Sequence, residues 1–296
     1  GQYSDSFIRK VAQIGFEGIE LPHTTFDVME GDESAINAFG NRFKDAGIPI
    51  IATRIAGAMT SSQSLVQTRA QLERTIHYAK IVGAKIVNCS LGNGSPYPGK
   101  PGNPYPGEIG ASFGWLRVEG SSREASIFDF ERTADELRKG CDQAAGAGIT
   151  LSGEVHPYTI VDNSWSALLL HELVDRDNFG INPDTGNPYW TYHVPEESTE
   201  ELMDAVAPVS VYWHSKSMVR IHHPENERAV FVRVPLPDGE IDYRYSMAAM
   251  INAGFKGYMS LESLQAGDQW ERDRLSLDYV KALAEELEVG DGQKPA

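Results

Sequence analysis

A unit of helix, glycine and short apolar strand recurs along most of the chain, and no other feature limits the fold as tightly. Ser6–Ile14 has helical periodicity, Gly15 ends it, and Phe16–Leu21 reads as a buried strand. Ser34–Ala46, Gly47 and Ile48–Thr53 repeat the pattern, as do Leu65–Val82, Gly83 and Lys85–Cys89. A long helix over Phe128–Ala147 is followed by Gly148 and a strand over Ile149–Glu154. Further strands are predicted at Phe179–Pro183, Val209–His214 and Gly257–Glu262, and the last two helices at Tyr245–Ala253 and Glu271–Glu286.

Strands that alternate with helices at this spacing imply parallel pairing through right-handed crossovers. Their nearly continuous apolar character suits strands covered on both faces. This reading yields seven strands in a chain that opens on a helix, whereas a (β/α)8 barrel needs eight. The expectation is therefore an α/β (β/α)8 TIM barrel, one domain over residues 1–296, with its first strand missing upstream of Gly1. A doubly wound open sheet is the alternative, but no G-x-G-x-x-G turn follows any strand. One segment breaks the rhythm. Leu91–Ser126 is rich in Gly, Pro, Tyr and Ser and far exceeds the usual connection of about 2–6 residues. It follows a strand, so in a barrel it would lie on the face where active sites are built, as a lid or a protein-contact loop.

The chain carries 42 acidic and 26 basic side chains, a formal charge of 26 − 42 = −16. That balance opposes nucleic acid or an anionic membrane surface as partner. Only Cys89 and Cys141 occur, so no disulfide framework is expected and a cytoplasmic location is the default. No apolar run approaches the ~18 residues that would span a bilayer, and Gly1–Asp5 does not open a secretory signal.

Four consecutive strands end in a potential metal ligand: Glu154 in LSGEVHP, Asp184 in GINPDTGN, His214 in VYWHSKS and Glu262 in YMSLES. At C-terminal strand ends these side chains would converge over the barrel mouth. Three carboxylates gathered there raise one another's pKa, and desolvation adds to the penalty. A divalent cation removes it. Three carboxylates and one imidazole suit Mn2+ best, with Mg2+ or Co2+ as alternatives, leaving positions open for substrate oxygens.

With those residues the chain resembles the xylose-isomerase-like TIM barrels: sugar isomerases, ketose 3-epimerases, inosose and dehydroshikimate dehydratases, C-glycoside deglycosidase subunits and an endonuclease branch. The resemblance begins at GFEGIEL, continues through GEVHP, PDTGN and HSKSMVR, and ends with DGEIDYRYSMAAMINAGFKGYMSLES. That last stretch is specific, because the family places a G-x-I-D-[WY] turn before a helix, then G-[FY]-x-G and a strand ending in Glu. The resemblance implies a metal-dependent sugar isomerase or epimerase. In it Glu154 and Glu262 bind the metal and exchange protons on opposite faces of the substrate, through an enediolate. Asp184 and His214 complete the ligand set, and Arg220, six residues past His214, matches a family arginine that holds a substrate oxygen.

Two departures matter. Epimerases often place His three residues after the Asp, where this chain has Asn187. Conversely, His156 lies two residues beyond Glu154, on the same face of a strand, and is a candidate acid or base. A histidine there fits the alternative reading, a lyase acting by β-elimination on an oxo sugar or polyol. A non-catalytic sugar-binding subunit is the third. His23, Arg54 and Lys216 are weaker substrate-binding candidates beside Asn187. Trp213 reads as packing, His222 and His223 as surface, and Trp115, Tyr97 and Tyr105 as loop aromatics that could stack on a sugar. The expected partners are a small carbohydrate or polyol and further subunits, identical or different.

Overall fold

The computed structural model describes residues 3–60, 62–92, 112–113, 122–157, 159–190, 197–223, 225, 228–262 and 267–289. Among the described residues seven parallel strands appear where seven are predicted, and each lies within a few residues of its expected bounds. They are β1 (Ile19–Pro22), β2 (Ile50–Ala58), β3 (Ile86–Gly92), β5 (Thr150–Glu154), β6 (Phe179–Asn182), β7 (Trp213–Ser215) and β10 (Met259–Leu261). The first five form one sheet in the order β1-β2-β3-β5-β6, and β7 pairs with β10. A parallel bridge between Ile181 and Ser210 joins the two groups just ahead of β7. The strands thus follow one another in chain order around a barrel wall.

Helices cover the outside: α1 (Asp5–Ile14), the short α2 (Thr24–Asp27), α3 (Glu33–Asp45), α4 (Ser62–Val82), α5 (Ile127–Ala145), α6 (Ser164–Val174), α7 (Thr199–Val206), α8 (Tyr243–Asn252) and α9 (Gln269–Val289). The sequence reading leaves α6 and α7 unassigned, yet both carry strong start signals. Asn163 accepts from the Ser166 N–H, and Ser198 and Glu201 form a capping box, satisfying donors that a helix start otherwise leaves bare. Gly15 ends α1 at φ 104°, a left-handed conformation that glycine adopts without strain.

Alternation along the strands divides the interior. Val87, Cys89, Leu151 and Ile181 point outward into the main hydrophobic cluster with helix residues such as Leu72, Ile76, Leu137 and Leu170. Asn88, Ser152, Glu154 and Asn182, on the intervening positions, are buried polar groups facing the barrel axis. Both cysteines are free and buried, and desolvation pushes both thiols well above the usual range.

One element interrupts the barrel. Directly after β7, an antiparallel hairpin of β8 (Ser217–His223) and β9 (Arg228–Val234) rises from the rim, and the short β4 (Ser112–Phe113) pairs with β9. The sequence reading does not assign this hairpin. Apart from Leu91–Gly92, β4 and residues 122–126, the Gly/Pro-rich segment falls outside the described residues, with Tyr97, Tyr105 and Trp115. The side chains of His222 and His223 do as well. Among the described residues no helix is long and apolar enough to cross a membrane.

Candidate metal centre and active site

Glu154, Asp184, His214 and Glu262 meet at the C-terminal rim, each offering a ligand atom within 4.8 Å of the others. Three are buried almost completely, with side chains 4 %, 0 % and 2 % exposed for Glu154, Asp184 and His214; Glu262 is 21 % exposed and marks the open side. Each is held by its own local structure. Glu154 ends β5, and its Oε2 accepts from Asn88 Nδ2 at 3.0 Å. Asp184 Oδ1 accepts the Gly186 N–H at 2.9 Å, a short turn that fixes the carboxylate. The His214 N–H donates to Asn182 Oδ1 at 2.7 Å. Upstream of Glu262, the DGEIDY turn buries Ile241 and uses Asp242 to cap α8, while the Glu262 N–H donates to Ser215 O.

The imidazole of His214 is oriented by a residue that the sequence reading overlooks. Its Nε2 lies 3.0 Å from Glu20 Oε2, so Nε2–H donates and Nδ1 is left to face the cluster. Nδ1 is buried with no hydrogen-bond partner, 3.5 Å from Glu154 Oε1, 3.7 Å from Glu262 Oε1 and 3.9 Å from Asp184 Oδ2. An orphaned imidazole nitrogen directed at three carboxylates is the donor set a divalent cation takes. The residues fit such an ion. A register shift in β1 places Glu20 opposite Ala52 when Ile19 faces Ile50, a bulge beside the residue that must be aimed. Gly18 permits it, because a Cβ there would meet Ile51 Cγ2 at 2.5 Å and Pro49 O at 3.1 Å.

Lys216 penetrates the cluster. Fully buried, its Nζ donates to Asp184 Oδ2 at 2.9 Å and Glu262 Oε2 at 2.8 Å. Gly186 leaves the path open: a Cβ there would sit 2.3 Å from Lys216 Cγ. Tyr243 fixes the lysine's backbone by donating to Lys216 O, and exchanges a hydrogen bond with Thr185.

The electrostatics follow from this crowding. Burial raises the Glu154 carboxyl, but His214 and His156 outweigh it and bring it down to about 2. Glu262 is likewise pulled well below the carboxylate range against its burial, by Lys216, His214 and Arg233. Desolvation wins at Asp184, which is raised. Burial opposes the charged form of His214, yet Glu20 and Glu154 raise it well above the ordinary value.

The remaining candidates divide. His156 is buried beside Glu154, its Nδ1–H donating to Pro157 O at 2.7 Å. Asn187 is 1 % exposed; Nδ2 donates to Val155 O at 2.8 Å, reaches Glu154 Oε1 at 3.5 Å, and leaves Oδ1 unpaired. Arg54 stands 3.5 Å from Glu20 Oε1 and is half-exposed. His23 is bound to Asp27, which also accepts from Tyr78. Arg220 is not brought to the cluster. Its guanidinium lies over the Tyr189 ring at 5.4 Å, and its N–H donates to Glu240. The guanidinium beside the carboxylates is that of Arg233, 3.4 Å from Glu262 Oε2. Trp213 is core, stacked on Tyr243.

Residues 8–282 match the family described as xylose isomerase-like TIM barrel. The chain belongs to that family. It is 25 % identical over 154 residues to the L-ribulose-5-phosphate 3-epimerase UlaE of Salmonella paratyphi C, covering 51 % of this chain and 50 % of that protein. The Escherichia coli protein of the same name is 24 % identical over 163 residues, 54 % and 53 % of the two chains. The chain thus spans about half the length of the curated relatives it matches. Among solved structures, a xylose isomerase-like TIM barrel protein from Mycobacterium smegmatis in complex with magnesium superposes with a TM-score of 0.73. It is 22 % identical, over 96 % of this chain and 89 % of that one. An L-ribulose 3-epimerase superposes equally well, TM-score 0.73, at 18 % identity over 97 % and 90 %.

Proposed function

We propose that the chain is a divalent-metal-dependent sugar epimerase or isomerase, with Mn2+ as the preferred ion. The observation that carries this is the orphaned His214 Nδ1 facing Glu154, Asp184 and Glu262, the four residues that would hold the cation. A bound divalent ion supplies Lewis-acid polarisation of a carbonyl and its adjacent hydroxyl, acidifying the C–H between them.

The chain's own groups would do the rest. Glu154 and Glu262 approach the centre from different strands, so one carboxylate can remove the proton from carbon and the other can return one. Glu20 holds His214 so that Nδ1 keeps its lone pair toward the ion. Lys216 and Asn187 present N–H donors to substrate oxygens, and the near-complete burial of Glu154 and Asp184 excludes bulk water from that side. The epimerase names of the matched relatives support sugar chemistry, and the expected substrate is a small ketose or related polyol.

The same first step also opens an elimination. Lys216 favours keeping that second reading, because an ammonium inside the carboxylate cluster can hydrogen-bond a departing hydroxyl. Incubating Mn2+-loaded protein in D2O with ketoses, inososes and 3-oxo glycosides separates the two. Deuterium on carbon in a retained skeleton supports epimerisation or isomerisation; release of water or aglycone supports the lyase. Undiminished turnover after chelation and in E262Q would sink both.

A further inference from the structure

The sequence motif assigns the substrate-holding guanidinium to Arg220, six residues beyond His214, and the structure supplies a different one. From the hairpin geometry we infer that Arg233, on the returning strand β9, is the arginine that grips the oxyanion of the substrate. This rests on the metal-bearing reading of the site and deepens it.

The hairpin register explains the exchange. Met218 pairs with Arg233 and Arg220 with Phe231. Cross-strand partners share a face, and so do alternate residues of one strand. Met218, Arg220, Phe231 and Arg233 therefore lie on one side of the hairpin, the side on which Met218 and Phe231 are buried against Tyr189. Arg233 is one step nearer the barrel rim and reaches Glu262 Oε2 at 3.4 Å, with its side chain 11 % exposed. Arg220 is one step farther out, where its guanidinium covers the Tyr189 ring and its N–H is tied to Glu240. An arginine at motif spacing is thus carried past the centre by the antiparallel strand. The turn brings another back to it.

Chemistry favours this placement. Glu262 is the most exposed of the four ligand residues, so the space beside it is where substrate enters. A guanidinium is a rigid planar fork of donors. Anchored by one arm to Glu262 Oε2, the oxygen that also accepts from Lys216, it can point another at an oxygen that gains negative charge during proton transfer. Lys216 is fully buried between Asp184 and Glu262, with two of its three donors given to those carboxylates, whereas Arg233 stands on the hairpin above them.

Binding of glycolohydroxamate, a planar oxyanion that chelates a divalent ion as an enediolate would, tests the assignment without requiring turnover. Mn2+ affinity and hydroxamate affinity are measured by calorimetry and Mn2+ electron paramagnetic resonance for wild type, R233M, R233K and R220M. R233M is expected to keep Mn2+ affinity within threefold and to lose about 10- to 100-fold in hydroxamate affinity, the worth of one charge-assisted hydrogen bond. R233K should recover part of that loss, and R220M should stay within threefold of wild type in both. Wild-type hydroxamate affinity in R233M overturns the inference, as does a loss confined to R220M. A parallel loss of Mn2+ affinity in R233M also overturns it, since Arg233 would then only brace Glu262. If hydroxamate binding responds as expected while no sugar turns over, the arginine assignment stands and the epimerase reading falls. If wild type binds no Mn2+, both fall together.

Discussion

Glu20 Oε2 receives the Nε2–H of His214 at 3.0 Å, and this bond decides which imidazole nitrogen faces the three carboxylates. Without it the ring is free to rotate or to carry its proton on Nδ1, the atom that must be bare to bind a cation. Partners of this kind typically change metal affinity by about 10- to 100-fold when removed. E20A is therefore expected to weaken Mn2+ binding by that factor, and E20Q, which can still accept through its amide oxygen, by less. A Mn2+ titration followed by electron paramagnetic resonance reads the effect directly. Equal affinities for E20A and wild type would show that His214 needs no such support.

Lys216 acts as an internal counter-ion for the metal-free protein. Its ammonium donates to Asp184 at 2.9 Å and to Glu262 at 2.8 Å, setting one positive charge between two carboxylates. Removing one member of a buried ion pair costs on the order of 3–5 kcal/mol, because the remaining charge is left uncompensated. K216M should therefore melt well below wild type in EDTA. Saturating Mn2+ supplies the missing positive charge and stabilises only the folded state. The rise in Tm on adding Mn2+ should be larger for K216M than for wild type; equal increments would refute the counter-ion role.

Glu136 on α5, with its side chain 4 % exposed, is paired to Arg69 of α4 through Nη2 at 2.7 Å and to Lys139 at 2.7 Å. The Arg69 hydrogen bond, against the opposing effect of burial, holds its carboxyl below the ordinary value. A carboxyl whose pKa is depressed on folding stabilises the protein above its unfolded value, near 4.3 for glutamate, and that contribution disappears as pH falls through the folded value. E136Q should thus lower the unfolding free energy by about 1–2 kcal/mol between pH 5 and 8. The gap between variant and wild type should close below about pH 4. Urea denaturation across that range checks it, and a gap independent of pH would assign the effect to packing.

The barrel wall and the meeting of Glu154, Asp184, His214 and Glu262 were legible because both depend on local pattern. Apolar runs after helix-ending glycines mark strands, and a charged residue closing such a run can only lie at the rim. Glu20 sits in the GFEGIEL stretch beside Glu17, and an acid enclosed between Ile19 and Leu21 in an apolar strand is a usable signal. Its partner, 194 residues away, is not. Arg233 is harder still. The alternation in AVFVRVP marks a strand, but which arginine reaches Glu262 depends on the hairpin register, which pairs Met218 with Arg233. Spacing within HSKSMVR cannot supply that information.

Beneath the carboxylate cluster, Asn88 joins three strands. Its Nδ2 donates to Glu154 Oε2 at 3.0 Å, and its Oδ1 accepts from Ser152 Oγ at 2.9 Å and from Asn182 Nδ2 at 3.1 Å. Asn182 in turn accepts the His214 N–H, so one chain of amides links the carboxylate on β5 to the backbone of β7. All four groups are buried, and deleting the Asn88 side chain leaves several of them unsatisfied at about 1–3 kcal/mol each. N88A is expected to lose at least one such increment of stability and to bind Mn2+ more weakly, because Glu154 is released at one oxygen. N88D retains the acceptor for Ser152 and Asn182 but directs a second carboxylate at Glu154, so it should be less stable than N88A at pH 8 and should recover on acidification. Were N88D as stable as wild type at pH 8, the donor bond from Asn88 to Glu154 would not be what holds that carboxylate in place.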